Sequence, residues 1–305
     1  MAVSSVKANI DGQNYDLTYN GASGKWEATI TAPSTTSWHE PENKYGVTVT
    51  ATDDAGNVTV KDRTDATLGN SLKLRVLEKV KPTVTLSSPS SGARITNAKP
   101  PITFQLRDAD SGIKIDSLEL KIDGGTAITH NSSGMVVTSV TGGYDCTYTP
   151  PTALSNGAHT VTIQIGDNDG NTSTLLSSSF TIDTVAPTLN VSAPVEGLKT
   201  NKANLTVSGS TNDVTSSPVT VTITVNGVDQ GAVTVTSGNF SKSVTLVNGA
   251  NVIVVKAKDT AGLETTVTRN VTLDTVAPTI TAVTLVPNPV DGGATFVISV
   301  TVTDE

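Results

Sequence analysis

The sequence contains one group of residues with the chemistry of a metal site, four aspartates in two turn-like segments. Asp108 and Asp110 lie in RDADSG, and Asp167 and Asp169 lie in GDNDGN. If both segments are loops at one end of a β-sandwich, their carboxylates offer the hard oxygen ligands that Ca²⁺ prefers. The alternative is that Asp and Asn before Gly only form turns. A later repeat keeps only Asp213 and Asp259, and EF-hand spacing is absent; both observations weigh against a general metal site. Calcium is the one candidate cofactor.

Nucleophilic catalysis has little support in the sequence. The three histidines, His39, His130 and His159, fall in different predicted loops or strand edges, and no Ser-His-Asp or Cys-His set can be assembled from them. The single cysteine, Cys146, is predicted to be an inert packing residue. No GxSxG, HExxH or phosphate-loop motif occurs. The sequence therefore predicts a protein that is not an enzyme and has no catalytic or cofactor-binding residues.

Charge and hydropathy exclude two kinds of partner. The 305 residues carry a formal net charge of −8 with a pI near 4.9, whereas binding to a phosphate backbone requires clustered Lys and Arg. No stretch reaches 18 apolar residues, and the first residues lack the basic and apolar regions of a signal peptide. We expect no nucleic-acid partner, no membrane insertion and, if the protein is exported, a route without a signal peptide.

The residues above must be positioned by β-strands. Apolar and polar residues alternate in VTVTATD (47–53), VTVTITVNG (219–227) and FVISVTVTD (296–304), which is the period of half-buried strands. No window has helical periodicity, and turn signals such as IDG, VNG and DAG recur every eight to twelve residues. This pattern predicts an all-β chain of sandwich modules.

Internal repeats divide the chain. VKPTVTL, VAPTLNV and VAPTITA align on Pro82, Pro187 and Pro278, so each proline opens a module. Late in each module a turn recurs as ATDDAGN, GDNDGN or AKDTAGL. These V-A-P-T openings and D-x-A-G-N turns resemble the bacterial immunoglobulin-like (Ig-like) domains that occur in tandem in phage tail and other virion proteins and in bacterial surface proteins. The resemblance implies spacer or display modules and supplies no catalytic residues.

The predicted modules differ in completeness. Residues 80–184 and 185–275 contain all seven strands, A to G. Residues 1–79 begin at the equivalent of strand C and lack A and B, whereas residues 276–305 contain only A and B. In the complete modules, Phe104 precedes Leu118 by 14 residues and Leu205 precedes Val221 by 16. Joining the two ends would place Phe296 15 residues before Val6, so the two partial modules are complementary.

This complementarity leads to a hypothesis of self-assembly, in which strands A and B of one copy complete the first module of the next. The proposed interface packs one set of inward residues against another, namely Phe296, Ile298, Val300 and Val302 against Val6, Ala8, Ile10 and Trp26. The alternatives are that the sequence is a fragment of a longer tandem array, or that the ends pair within one chain.

A longer loop in the first module, STTSWHEPENKY, contains a second candidate contact surface. Trp38 and His39 in a polar loop suggest a partner contact. The alternative is that Trp38 covers its own core and that the Tyr45 hydroxyl fixes the neighbouring strand. Residues 61–69 are a further insertion whose role the sequence does not indicate.

Two leading functions and a third possibility fit these features. The first is a structural virion component, associated with a phage tail or capsid, whose partners are other copies of itself, other virion proteins or host cell-surface glycans. The second is a spacer or binding fragment of an extracellular or cell-surface adhesin or carbohydrate-binding protein. An accessory module of a carbohydrate-active enzyme is a third, and ring or filament symmetry stays open.

Overall fold

The computed structural model describes residues 2–304, which form two compact units. One unit contains the chain up to Ala93 together with Ala98–Thr181, and the other contains Arg94–Asn97 together with the chain from Ile182 onward. Strands dominate both units, and two short 3-10 helices, Pro41–Asn43 and Gly69–Leu72, occur in the first. The prediction of an all-β fold is confirmed.

The first module is a single six-stranded sheet. Its strands are β1 (Val3–Ile10), β2 (Gln13–Asn20), β3 (Lys25–Glu27), β4 (Tyr45–Asp53), β5 (Val58–Lys61) and β6 (Lys73–Leu74). They are ordered β3-β2-β1-β4-β5, with β6 paired to the start of β4. Among its apolar side chains only Val6, Ile10 and Tyr45 are buried, because no second sheet covers the inner face within the described residues.

The second module consists of two four-stranded sheets. Its strands are β7 (Thr83–Ser88), β8 (Ala93–Ile95), β9 (Ile102–Arg107), β10 (Ile113–Ile122), β11 (Met135–Val140), β12 (Gly143–Tyr148), β13 (Gly157–Asp167) and β14 (Leu176–Ile182). One sheet has the order β10-β13-β14-β8 and the other β11-β12-β9-β7. Phe104, Leu120 and Ile163 from the two sheets are at most 1% exposed, so the alternating apolar residues meet in a sandwich core.

The third module repeats this plan. Its strands are β15 (Thr188–Ala193), β16 (Leu198–Thr200), β17 (Asn204–Asn212), β18 (Thr220–Val225), β19 (Val228–Asp229), β20 (Val235–Thr236), β21 (Asn239–Thr245), β22 (Gly249–Lys258) and β23 (Glu264–Leu273). The sheets are ordered β15-β17-β21-β20 and β16-β23-β22-β18-β19. Val207, Ile223, Ile253 and Val255 are fully buried in the core that they enclose.

The last segment is a two-stranded hairpin of β24 (Thr279–Val286) and β25 (Val297–Thr303). Every residue of both strands is exposed. These observations describe the partial modules without testing the predicted domain boundaries, which stay predictions.

A buried histidine fixes one hairpin turn of the second module. Asp123 begins the turn in the left-handed conformation (φ 53) and is followed by Gly124 (φ 67), as tight hairpins require. Its Oδ1 accepts the Thr160 N–H at 2.8 Å, and its Oδ2 lies 2.7 Å from Nδ1 of His159, which is 6% exposed. Burial disfavours the charged imidazole, but the Ser155 carbonyl and Asp123 outweigh burial and raise the pKa of His159. Burial likewise disfavours the charged carboxylate, but hydrogen bonds from His159 and Thr160 lower the pKa of Asp123.

We expect Asp123→Asn to destabilise the protein by about 1 kcal/mol near pH 5.5 and by much less at pH 9. The raised pKa of His159 means that its contribution is complete below the unfolded value of about 6.5 and is lost as pH rises through the folded value. Urea unfolding at several pH values measures this effect. Asp11→Asn is the control, since Asp11 has the same backbone conformation (φ 52). An equal loss of stability at pH 5.5 and 9 would contradict the pairing.

Candidate functional site

The structure brings two of the four predicted calcium ligands together and adds a third carboxylate. Oxygen atoms of Glu78, Asp108 and Asp167 lie within 4.8 Å of one another. Both aspartates are buried, and Glu78 is half-buried on the segment between the first and second modules. Burial raises the pKa of Glu78, and the negative charge of Asp108 acts in the same direction. Glu78 Oε1 accepts the Ser111 N–H at 2.7 Å. These residues belong to one compact unit.

The other two predicted ligands have different positions. Asp169 has a side chain that is 1% exposed, and its Oδ2 accepts hydrogen bonds from the Thr36 hydroxyl and from the Glu78 N–H at 3.2 Å. Asp110 is exposed, and its carbonyl oxygen lies 2.5 Å from Nε2 of His39. Asp169 therefore joins the first module to the second, and the Asp110 carboxyl lies beside Glu78, where it helps to raise the pKa of Glu78.

The turn-forming role of these aspartates is visible in their hydrogen bonds. Asp167 Oδ1 accepts the Gly170 and Asn171 N–H groups, and its Oδ2 accepts Nδ2 of Asn171 at 2.8 Å. In the first module Asp53 makes the same two bonds with Asn57, and its Oδ1 also accepts the Ala55 N–H. The D-x-x-G-N signature thus encodes a carboxylate that caps its own turn.

The loop that carries Trp38 and His39 contacts the second module. Both residues line a cleft of about 370 Å³ together with residues 108–113 and Tyr144. Trp38 is half-buried and His39 is exposed. The hydroxyl of buried Tyr45, at the end of this loop, lies 2.6 Å from the Thr35 hydroxyl near its start, so it fixes the two ends of the loop to each other. The loop is thereby placed against the neighbouring module of its own chain.

Sequence reasoning missed Glu78 and Thr36 as parts of this site. Both lie in connecting segments without periodicity, so the strand pattern says nothing about what they touch. A usable signal existed for Glu78, because it precedes the module-opening Pro82 by four residues, as Asp183 precedes Pro187.

The predicted self-assembly residues fall in different compact units. In the hairpin, Phe296, Ile298, Val300 and Val302 are 45–59% exposed. In the first module, Val6 and Ile10 are buried, and Ala8 and Trp26 are half-buried; the Trp26 ring packs 5.7 Å from Tyr19. The proposed pairing between copies stays a prediction.

The side chains that could act in catalysis, the three histidines and Cys146, make other contacts or are buried. His39 and His159 contact backbone carbonyls and a carboxylate, and His130 Nε2 lies 3.3 Å from Asp116 Oδ1. Cys146 is buried, and burial raises the pKa of its thiol to about 11, so the thiolate is scarce at neutral pH. Within residues 2–304 no helix is long and apolar enough to cross a membrane.

Two family models match the complete modules. Residues 82–163 match the bacterial Ig domain, and residues 187–275 match domain B of glucodextranase. A stretch of 122 residues is 34% identical to Bacillopeptidase F of Bacillus subtilis (strain 168), covering 40% of this chain and 8% of that protein.

Solved structures with similar architecture include fibronectin(III)-like modules of Clostridium thermocellum CbhA. That match has a TM-score of 0.36 and 18% identity, covering 63% of this chain and 94% of that one. The N-terminal eight Ig domains of Down Syndrome Cell Adhesion Molecule match with a TM-score of 0.41 and 13% identity, covering 89% of this chain and 33% of that one.

The sandwich topology and the bacterial Ig domain match agree with the repeated V-A-P-T openings. Ig-like domains are typically non-catalytic and often extracellular. Residues 82–275 therefore contain Ig-like domains in tandem, of a kind found in bacterial proteins.

Proposed function

We propose that this chain is a structural spacer in an extracellular or surface protein, in which successive Ig-like modules hold a functional part at a distance. The observation that carries this proposal is the polar joint between the first and second modules. A spacer transmits position only when its modules are fixed to one another, since a flexible linker lets them reorient freely.

The joint is built from buried hydrogen bonds. Ser37 is 1% exposed, and its hydroxyl bonds the Asn43 carbonyl at 2.8 Å, while its N–H donates to the Val76 carbonyl at 3.0 Å. This network fixes the loop and the connecting segment to each other. Asp169 of the second module then accepts from both of them, through Thr36 and Glu78.

The acceptor role of Asp169 makes the joint sensitive to a single change. Removing its carboxylate leaves the Glu78 N–H without its acceptor and the Thr36 hydroxyl with only the Val76 carbonyl at 3.4 Å, in a largely dry environment, which costs about 1–3 kcal/mol. Arg75, whose Nη2 lies 3.8 Å from Asp169 Oδ1, also loses its partner.

We expect Asp169→Ala to loosen the joint without unfolding either module. Spin labels at Thr18→Cys and Val136→Cys, both exposed strand positions, report the distance between the modules by pulsed electron paramagnetic resonance. Buried Cys146 should stay unlabelled. The distance distribution should be narrow in the parent and at least twice as wide in Asp169→Ala.

Asp116→Ala is the control, because that side chain is 79% exposed and lies away from the joint residues in sequence. It should leave the distribution unchanged. A parent distribution as broad as that of Asp169→Ala would contradict a fixed joint and with it the spacer proposal.

A second candidate function is self-assembly by strand complementation, and the exposed hairpin favours it. The register pairs Ile298 with Leu285, Val300 with Val283 and Val302 with Ile280. Partners in register share a face, so the hairpin has one apolar face of six side chains, each 41–64% exposed. Such a face is normally covered.

The first module also has an uncovered sheet face, because within the described residues no second sheet packs against its single sheet. An apolar cleft of about 260 Å³ on this module is lined by Ile10, Ile30, Val47 and Leu74, among others. In the second module, β7 and β9 pair next to β12 and complete the sandwich. The hairpin of a second copy is the occupant that we propose for this surface. Burying six half-exposed side chains contributes about 1 kcal/mol each.

We expect the full chain to associate with increasing concentration, measured as molar mass by light scattering. Ile298→Asp together with Val300→Asp should return it to a monomer, because two charges would enter an apolar interface. Ser299→Asp together with Thr301→Asp adds the same charge to the other face and should leave the mass unchanged. A monomer at every concentration would exclude self-assembly and leave the spacer proposal standing.

The setting of the protein differs between the two candidates. Head-to-tail assembly suits a virion component that presents its modules to host cell-surface glycans, as the phage resemblance implies. The spacer suits a cell-surface protein. Continuous filaments or closed rings in electron micrographs of the purified chain would favour the first setting, and discrete particles the second.

A further inference from the structure

Three buried aspartates converge in the second compact unit, outside the joint described above. Asp183, Asp213 and Asp259 are 0%, 7% and 5% exposed, and one oxygen of each lies within 4.8 Å of the others. Asp183 lies on the segment before Pro187, Asp213 follows β17, and Asp259 follows β22. Among the described residues none of the three forms an ion pair with Lys, Arg or His. Buried carboxylates without a positive partner are rare in folded proteins.

Hydrogen bonding leaves part of this group unsatisfied. Asp183 Oδ1 accepts the Val185 N–H at 3.1 Å and Asp259 Oδ1 accepts the Leu263 N–H at 3.0 Å, but the buried Oδ2 of each aspartate has no hydrogen-bond partner within residues 2–304. The Ser216 hydroxyl, on a residue that is 0% exposed, also has none. The Ser216 N–H bonds Asp213 Oδ1 at 2.6 Å, which places this serine beside the group. Unsatisfied oxygens buried together call for a cation.

The same arrangement occurs in the first unit. Thirty residues separate Glu78 from Asp108, as they separate Asp183 from Asp213. Ser111 follows Asp108 by three residues, as Ser216 follows Asp213, and its buried hydroxyl is likewise unpartnered.

A further bond is shared by the two groups. The residue after the third carboxylate donates its side chain to the carbonyl of this serine, Asn168 to Ser111 at 2.9 Å and Thr260 to Ser216 at 2.9 Å. Two modules with different sequences thus build one geometry.

One difference separates the two groups. Asn171 donates its Nδ2 to Asp167 Oδ2 at 2.8 Å, but the third module has Leu263 at the corresponding place. Asp259 Oδ2 therefore lacks the donor that satisfies Asp167. The third-module group has one more oxygen available for a ligand than the second-module group.

We propose that Asp183, Asp213, Asp259 and the Ser216 hydroxyl bind a calcium ion, and that Glu78, Asp108, Asp167 and Ser111 form a second, weaker calcium site. All these donors are oxygens, which excludes a preference for zinc or copper. Calcium binds oxygens at about 2.3–2.6 Å, so two ligands of one ion lie up to about 5 Å apart, whereas Mg²⁺ requires a tighter octahedron. This ligand set keeps Asp108 and Asp167 of the sequence prediction and replaces Asp110 and Asp169.

Binding would have a structural consequence. Asp183 and Glu78 lie on the segments that lead into their modules, whereas the aspartates that complete each group lie after β9 and at the end of β13 in the second module, and after β17 and β22 in the third. A bound ion would link each segment to two loops at one end of the module that follows it. In the first unit this adds to the joint made by Asp169.

Calorimetric titration of the full chain, freed of metal with EDTA, tests the proposal with Ca²⁺ alone. We expect two ions per chain and a rise in melting temperature at millimolar Ca²⁺. Asp213→Asn and Asp108→Asn should each remove one site. Leu263→Asn keeps every carboxylate but supplies the missing donor to Asp259, and should weaken the tighter site at least tenfold.

In EDTA, Asp213→Asn should melt no lower than the parent, because it removes one of three mutually repelling carboxylates; this separates loss of binding from loss of folding. Asp229→Asn is the control, since exposed Asp229 caps its own turn through the Gly231 N–H at 2.9 Å and should bind two ions. Absence of heat and of a melting shift would overturn the proposal. An equal response to Mg²⁺ would overturn the assignment to calcium.

Discussion

A β-sheet with alternating apolar residues must bury one face, and this constraint organises the whole chain. In the second and third modules, two sheets cover each other and the inward residues reach complete burial. The first module has one sheet, and the hairpin of β24 and β25 has two strands with no covered face. The same alternation that stabilises a complete sandwich therefore leaves each partial one with an exposed apolar face that favours association. A further segment of chain or a second copy satisfies the constraint equally well, because the physics concerns only which apolar face is covered.

The aspartates at the module ends accept hydrogen bonds from backbone N–H groups of their own turns. In each D-x-x-G turn the carboxylate accepts N–H groups that no strand partner can reach. Whether the second carboxylate oxygen is available for a ligand depends on the side chain four residues later. Asn171 bonds that oxygen of Asp167, whereas Leu263 leaves that of Asp259 available. Under the proposed calcium sites, one carboxylate would both form its turn and bind the metal. The sequence motif for the turn does not by itself distinguish these two roles.

Period-two alternation and the repeated prolines were sufficient to predict an all-β tandem array, because both depend on local sequence. They also placed Asp108 and Asp167 in neighbouring loops. Glu78 and Asp183 were missed, since they lie on irregular segments whose contacts arise only when a segment packs on the following module. Periodicity also could not show that Trp38 faces a cleft of the adjacent module, or that Asp169 bridges two modules. Residues positioned by strands are predictable; those positioned by docking between modules are not.

The carboxylate spacing continues into the hairpin and connects the two proposals. Asp274 lies four residues before Pro278 and thirty residues before Asp304. Asp274 Oδ1 accepts the Val276 N–H at 3.0 Å, as Asp183 Oδ1 accepts the Val185 N–H. In the proposed sites these are the positions of the first two carboxylates, and the third lies at the end of β13 or just after β22. The corresponding residue of the first module is Asp53 at the end of β4, which caps its turn as Asp167 does. If the hairpin of one copy completes the first module of another, we expect Asp53, Asp274 and Asp304 to form a shared site that resembles the weaker one, because Asn57 bonds Asp53 Oδ2 as Asn171 bonds Asp167 Oδ2. Calcium would then strengthen association between chains, whereas in a longer continuous chain it would stabilise only a joint within one molecule.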